Sequence, residues 1–417
     1  MNAVLSLIER RYPLLFELGA RRLRLVLTLF AGLYIALAAS MWAGQIATSK
    51  DLFTPAGPII GGDFIVFQHA ATRAGDADAA ALYEMKTLKG ELVARYPGHG
   101  EMNFGWMYPP TMFLLLAPFG DAPYLGAYGA WVVVFAALFL VVLYRLWADR
   151  WAMAFAVSAP PFFQAIVTGQ NGLLSAALLA LAGGFAEKRP AIAGVAAGLL
   201  TIKPQLGILI PFAFAAAGCW RAMLWAAASA LLLAALSVAA FGTEIWAAFI
   251  DGLFAHGARM ATLSFPFEKL VTPFGLAAML GAPSALAGAV QMTASLSLVA
   301  YVAFLWRRVK DADLRLAVLS TAAVMATPYA FYYEFVIALP AMVAIARRAA
   351  QTGWLRGEKL SLIALWLLTM QAPGGGAIPS LPVCALSALL AFAIVARRAV
   401  PASGLRFASA ASPASAG

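Results

Sequence analysis

Charge is scarce in this chain: 12% of its 417 residues are Asp, Glu, Lys or Arg, against 63% hydrophobic. A single water-facing globule cannot absorb that composition, so the chain is read as an integral membrane protein. Cysteine is nearly absent. The two thiols, Cys219 and Cys384, are expected near opposite membrane faces, which excludes a disulfide between them and a thiolate metal site. His69, His99 and His256 are far apart in sequence and no H-E-x-x-H pattern exists, so no metal ligands are assigned; whether a divalent ion takes part is left open. Also missing are a P-loop, a G-x-S-x-G turn, a dinucleotide fingerprint and a cytoplasmic domain large enough for a nucleotide sugar. Any chemistry must therefore draw on a donor reached from the membrane.

What is present is a series of apolar runs. Crossing the hydrocarbon layer takes about 17 to 25 residues of helix, and several runs have that length while others are shorter or broken by Pro or Gly. The expected fold is an all-α polytopic bundle of about twelve transmembrane helices. They fall near 23–46, 124–146, 151–167, 170–186, 190–202, 205–218, 222–241, 285–305, 314–327, 329–346, 360–371 and 380–396, with half-embedded stretches at 110–119 and 273–284. Residues 1–22 then form a basic amphipathic N-terminus, 23–398 the membrane domain with long loops 47–109 and 242–272, and 399–417 an Ala/Ser-rich tail expected to be disordered.

Basic residues set the orientation, because Lys and Arg favour the cytoplasmic side of short loops. Clusters such as Arg145 with Arg150, Lys188 with Arg189, Arg307 with Arg308, and Arg347 with Arg348 recur after every second run. This places both termini in the cytoplasm and the two long loops outside. The formal charge of +10 is thereby a topology signal, spread over inside loops rather than gathered into a nucleic-acid surface.

Ionisable groups near hydrocarbon cost roughly 2.5 to 3.5 kcal/mol each at a helix centre, so the few on the outer side are the candidates for chemistry. Asp63 follows Gly61-Gly62 at the start of a short apolar helix; it could cap that helix, act as a base, or do both. Lys203, fixed by Pro204 between two short apolar segments, could snorkel to the interface or bind phosphate. Tyr108 precedes Pro109-Pro110 at a re-entry point and belongs at least to the aromatic belt. Gln170 and Asn171, in Thr168-Gly169-Gln170-Asn171-Gly172, could satisfy a turn or hydrogen-bond a sugar. Glu334, after Tyr332-Tyr333, enters an apolar segment and demands a partner, for which Lys203 and Arg259 are the candidates. The second long loop adds His256, Arg259, Glu268 and Lys269.

The order of these features resembles the polyprenyl-phosphate-dependent glycosyltransferases of the GT-C fold, and within them glycosyltransferase family 87 (DUF2029). The resemblance rests on Gly62-Asp63-Phe64 with Ala70-Ala71, Tyr108-Pro109-Pro110 with Leu116-Ala117-Pro118, Gly169-Gln170-Asn171, Lys203-Pro204, and Thr327-Pro328 before an aromatic turn. It implies that Asp63 is the catalytic aspartate and Lys203 the lysine of the family's K-P motif. The mannosyltransferase branch carries a His-rich turn where this chain has Tyr332-Tyr333-Glu334, a departure that touches the choice of mannose as donor sugar.

The function expected from the resemblance is transfer of a hexose, with mannose one candidate, from a polyprenyl-phosphate donor to a lipid or glycan acceptor. The reaction would take place at the outer face of the inner membrane, with inversion at the anomeric carbon. Asp63 would be the general base, and Lys203 with Arg259 would hold the donor phosphate. Tyr108, Gln170, Asn171, Tyr333, Glu334 and His256 are candidates for sugar or acceptor contacts. The alternative from another class is a transporter of a lipid-linked or small polar solute, with Asp63, Lys203 and Glu334 as pathway charges. Two long outer loops and the lack of an internal repeat weigh against it.

Overall fold

A computed structural model describes residues 10–11, 20–55, 57–97, 104–260, 265–370 and 381–404; for 20–24, 27, 256 and 258–260 it describes the backbone alone. The described residues are helical, with isolated β-bridges in place of strands. In chain order the α-helices are α1 (Ala20–Ala47), α2 (Phe64–Arg73), α3 (Met85–Arg95), α4 (Thr111–Leu116), α5 (Tyr124–Trp147), α6 (Arg150–Ser158), α7 (Pro160–Val167), α8 (Gly172–Phe185), α9 (Pro190–Leu199) and α10 (Pro204–Gly207). They continue as α11 (Ile210–Ala217), α12 (Trp220–Phe241), α13 (Glu244–Met260), α14 (Pro273–Met279), α15 (Ser284–Arg308), α16 (Ala312–Met325), α17 (Leu339–Thr352), α18 (Glu358–Thr369) and α19 (Val383–Ala402).

Among the described residues six helical runs are long and apolar enough to cross a membrane: Thr28–Ala47 within α1, α5, α12, α15, Tyr332–Thr352 and α19. Their exposed faces carry large apolar side chains such as Val133, Leu224, Leu231 and Leu296, which suit hydrocarbon rather than water. The shorter helices do the opposite. In α16 every residue from Leu314 to Met325 is buried, as are most of α8 and the first half of α17. A helix apolar on all sides belongs inside a bundle. At about 1.5 Å per residue, the 14 residues of α8 or α16 reach roughly 21 Å, short of the roughly 30 Å hydrocarbon core. Such a helix is shielded from lipid by its neighbours.

Several expected runs are broken, each for a local reason. The stretch 151–167 divides into α6 and α7 because Ala159 is extended before Pro160, a conformation that a following proline favours. The stretch 190–202 is α9 followed by a 3₁₀ turn at Leu200–Ile202, after which Lys203 leaves helical geometry ahead of Pro204. Gly194 and Gly198 let α9 lie directly on α12, since a Cβ on Gly198 would approach the Ala226 carbonyl oxygen to 2.7 Å. The stretch 329–346 starts with a 3₁₀ segment, Tyr332–Ala338, before α17. At the end of the chain α19 runs on to Ala402, and the tail expected to be disordered falls mostly on residues 405–417, outside the described residues.

Ion pairs gather at the connections where basic residues recur. Arg347 meets Asp149 and Asp313, Arg348 meets Asp311, Arg315 meets Glu187, and Arg398 meets Glu358. None of these pairs includes a residue of the loops that carry Asp63 and Lys203.

Candidate functional site

The first long loop is anchored backbone to backbone. Gly61 and Gly62 have positive φ of 82° and 49°, which only glycine adopts without strain, and they turn the chain so that Asp63 N–H donates to the Thr168 carbonyl at 3.0 Å. Tyr124 Oη donates to the Ile60 carbonyl at 2.7 Å, and Tyr128 Oη to that of Ile166 at 2.8 Å, so α5 clasps both sides of this junction. Phe64 is wholly buried against Tyr124, Tyr128 and Trp131. The close approach depends on Gly169, whose φ is +60° and whose missing Cβ would lie 2.5 Å from the Phe64 Cβ. Gly169→Ala is therefore expected to push the Asp63 loop away and abolish most activity while the protein still inserts in membranes. Near-normal turnover of that variant would show the docking to be dispensable.

Asp63 occupies the N-cap position of α2, yet its side chain caps nothing. The carboxylate instead accepts a hydrogen bond from Gln170 Nε2 at 2.6 Å. Burial pushes the Asp63 carboxyl above its ordinary range, opposed by hydrogen bonds from Gln170 and Tyr333 and by the charges of Lys203 and Lys269. The residue as a whole retains partial exposure beside a carboxyl that burial dominates.

From Gln170 the polar chain continues inward. Tyr108 Oη donates to Gln170 Oε1 at 3.0 Å, and Gln170 Nε2 lies 3.5 Å from Tyr333 Oη. Lys203 Nζ donates to Tyr108 Oη at 3.3 Å and to Asn171 Oδ1 at 3.2 Å, and it forms an ion pair with Glu334. Lys203 and Glu334 are 4% and 2% exposed, which makes this a buried pair rather than a snorkelling lysine. Glu334 Oε2 also accepts the Phe331 N–H at 3.2 Å. Asn171 is fully buried, and its Nδ2 has no partner among the described residues, a donor held in reserve.

Asp63, Tyr108, Gln170, Asn171, Lys203, Tyr333 and Glu334, named from sequence, thus form one connected cluster. Among the described residues Lys203 is the partner of Glu334. His256 and Arg259 belong to α13, and their side chains lie outside the described residues. A contributor without a sequence-assigned role is Lys269. It ends the turn Phe267–Lys269, and the next residues are tied to the turn ahead of Tyr333: Leu270 bridges to Phe331, and Val271 N–H donates to the Ala330 carbonyl at 2.9 Å. No pattern near Lys269 signals this pairing across about sixty residues of chain.

The model of glycosyltransferase family 87 matches residues 106–328, which include Tyr108, Gln170, Asn171, Lys203 and Lys269. The chain belongs to that family. No curated protein and no solved structure matches it. As a glycosyltransferase with six helical runs suited to a membrane among its described residues, it is an enzyme rather than the transporter given as the alternative.

Proposed function

We propose that this membrane glycosyltransferase moves a hexose from a polyprenyl-phosphate donor to a lipid or glycan acceptor, inverting the anomeric carbon. The bundle would be of GT-C type with about twelve crossings counting the short helices, in the inner membrane. Its termini would be cytoplasmic and its two long loops would face outward. The observation that carries the proposal is a carboxylate raised by burial, on a residue that keeps some exposure, at one end of a hydrogen-bonded chain that ends in the buried Lys203–Glu334 pair.

Asp63 takes the proton from the acceptor hydroxyl as that oxygen attacks the anomeric carbon. The bond from that carbon to the phosphate oxygen breaks, and polyprenyl phosphate departs with the electron pair. Gln170 aims the carboxylate; Tyr333, Asn171 and His256 are the candidates for sugar contacts. Lys203, together with Arg259, supplies the positive field that the leaving phosphate needs, strongest where water is excluded. Glu334 keeps Lys203 in place. Support for a lipid-borne donor is the absence of nucleotide-binding patterns in a chain that is mostly apolar.

The direct test offers membranes carrying the protein either a labelled polyprenyl-phosphate hexose or the matching nucleotide sugar. Transfer is expected from the lipid donor alone. Transfer from the nucleotide sugar in membranes stripped of polyprenyl phosphate would overturn the donor class.

A further inference from the structure

Lys203 lacks a free hydrogen for a ligand. An ammonium has three N–H donors, and here they meet Glu334, Asn171 Oδ1 and Tyr108 Oη. With 4% of its surface exposed, Lys203 can act on a phosphate through its charge but is poorly placed to grip one. Some other cation must make the direct contact if the proposed donor class is correct.

Lys269 meets the requirements. It is partly exposed and forms no ion pair among the described residues. The backbone that follows it is pinned to Ala330 and Phe331, two to three residues before Tyr333, and its charge acts on the Asp63 carboxylate from this fixed base. Two residues beyond Lys269 an apolar groove of about 240 Å³ begins. It is lined by Val271, Leu276 and Ala277 of the same connection and α14, with Val290, Met325 and Leu389 from three further helices. Leu280, Val290 and Leu389 at its edge are exposed, so the groove opens toward lipid. A cation beside an apolar groove complements a molecule with one anionic head and a long aliphatic chain.

We infer that Lys269 directly binds the phosphate of the lipid-linked donor and that the groove along α14 holds the first part of its chain. Lys203 then acts from beneath as a fixed charge. This rests on the proposed donor class and adds to it the residues that recognise the lipid phosphate. The affinity expected from one charge-assisted contact is about tenfold to a hundredfold.

The test measures binding of polyprenyl monophosphate, the uncharged polyprenol and inorganic phosphate to the purified full chain in nanodiscs, read by tryptophan fluorescence. The wild type is expected to bind polyprenyl monophosphate well above the other two. Lys269→Gln should weaken that binding about tenfold or more, with Lys269→Arg restoring most of it. Ala277→Phe, which fills the groove, should weaken polyprenyl monophosphate while leaving a four-carbon alkyl phosphate unaffected. Equal binding by wild type and Lys269→Gln would overturn the assignment of Lys269 alone, and unchanged long-chain binding by Ala277→Phe would overturn the groove. A wild type that fails to prefer polyprenyl monophosphate over polyprenol would remove the donor class and this inference with it.

Discussion

Replacing Asp63 by Asn is expected to lower kcat by about 10² to 10⁴, the range that general-base catalysis supplies. The substitution keeps the size of the side chain and a carbonyl oxygen to accept from Gln170 Nε2, so the loop should stay docked through the backbone bond to Thr168. Loss of turnover with an unchanged KM for donor would then report the proton transfer itself. The pH profile gives a second check. A base must be ionised, and burial raises the pKa of Asp63, so activity should fall on the acid side at a pH above the ordinary carboxylate value of about 3.9. Gln170 stabilises the ionised form. Gln170→Leu should therefore move the acid limb to still higher pH, whereas a limb that stays put or moves down would detach Asp63 from the profile. Full activity in Asp63→Asn membranes would refute the base assignment outright.

Much of this site was legible because its residues break local rules. An aspartate after two glycines, a lysine between apolar segments and a glutamate inside one are each costly unless partnered, and Glu334 was assigned Lys203 as one of two candidate partners on that ground alone. The partner of Asp63 was not legible. Its bond to Gln170 spans 107 residues, and nothing at Gln170 distinguishes a turn amide from one that orients a carboxylate. Helix limits showed the same division. The long runs at α5 and α12 follow from continuous apolarity, while the breaks at Ala159 and Lys203 arise from prolines whose effect depends on how the neighbouring helices pack. Lys269 was visible only as one of several loop charges. Its position comes from the Leu270–Phe331 bridge, a tertiary pairing with no local pattern.

The second large effect is expected at the Lys203–Glu334 pair. Removing one partner of a buried ion pair strands the other charge, at a cost of about 3 to 5 kcal/mol, because desolvation is no longer offset. Hydrogen bonds between helices inside membranes average only about 0.6 kcal/mol, so a loss of that smaller size would mean the charges find water or other partners. Lys203→Met and Glu334→Leu should each lower the thermal unfolding midpoint in detergent sharply. The double variant should recover at least half of the summed loss, since the two apolar side chains can fill the space without a stranded charge. Activity should behave differently. The double variant regains stability but remains inactive, because Lys203 also supplies the positive field at the leaving phosphate and anchors the Tyr108–Gln170 chain that reaches Asp63. Additive stability losses would show that the two side chains do not act as a pair. Restored activity in the double variant would show that the buried charge serves the fold alone, and the electrostatic role would then pass to Lys269.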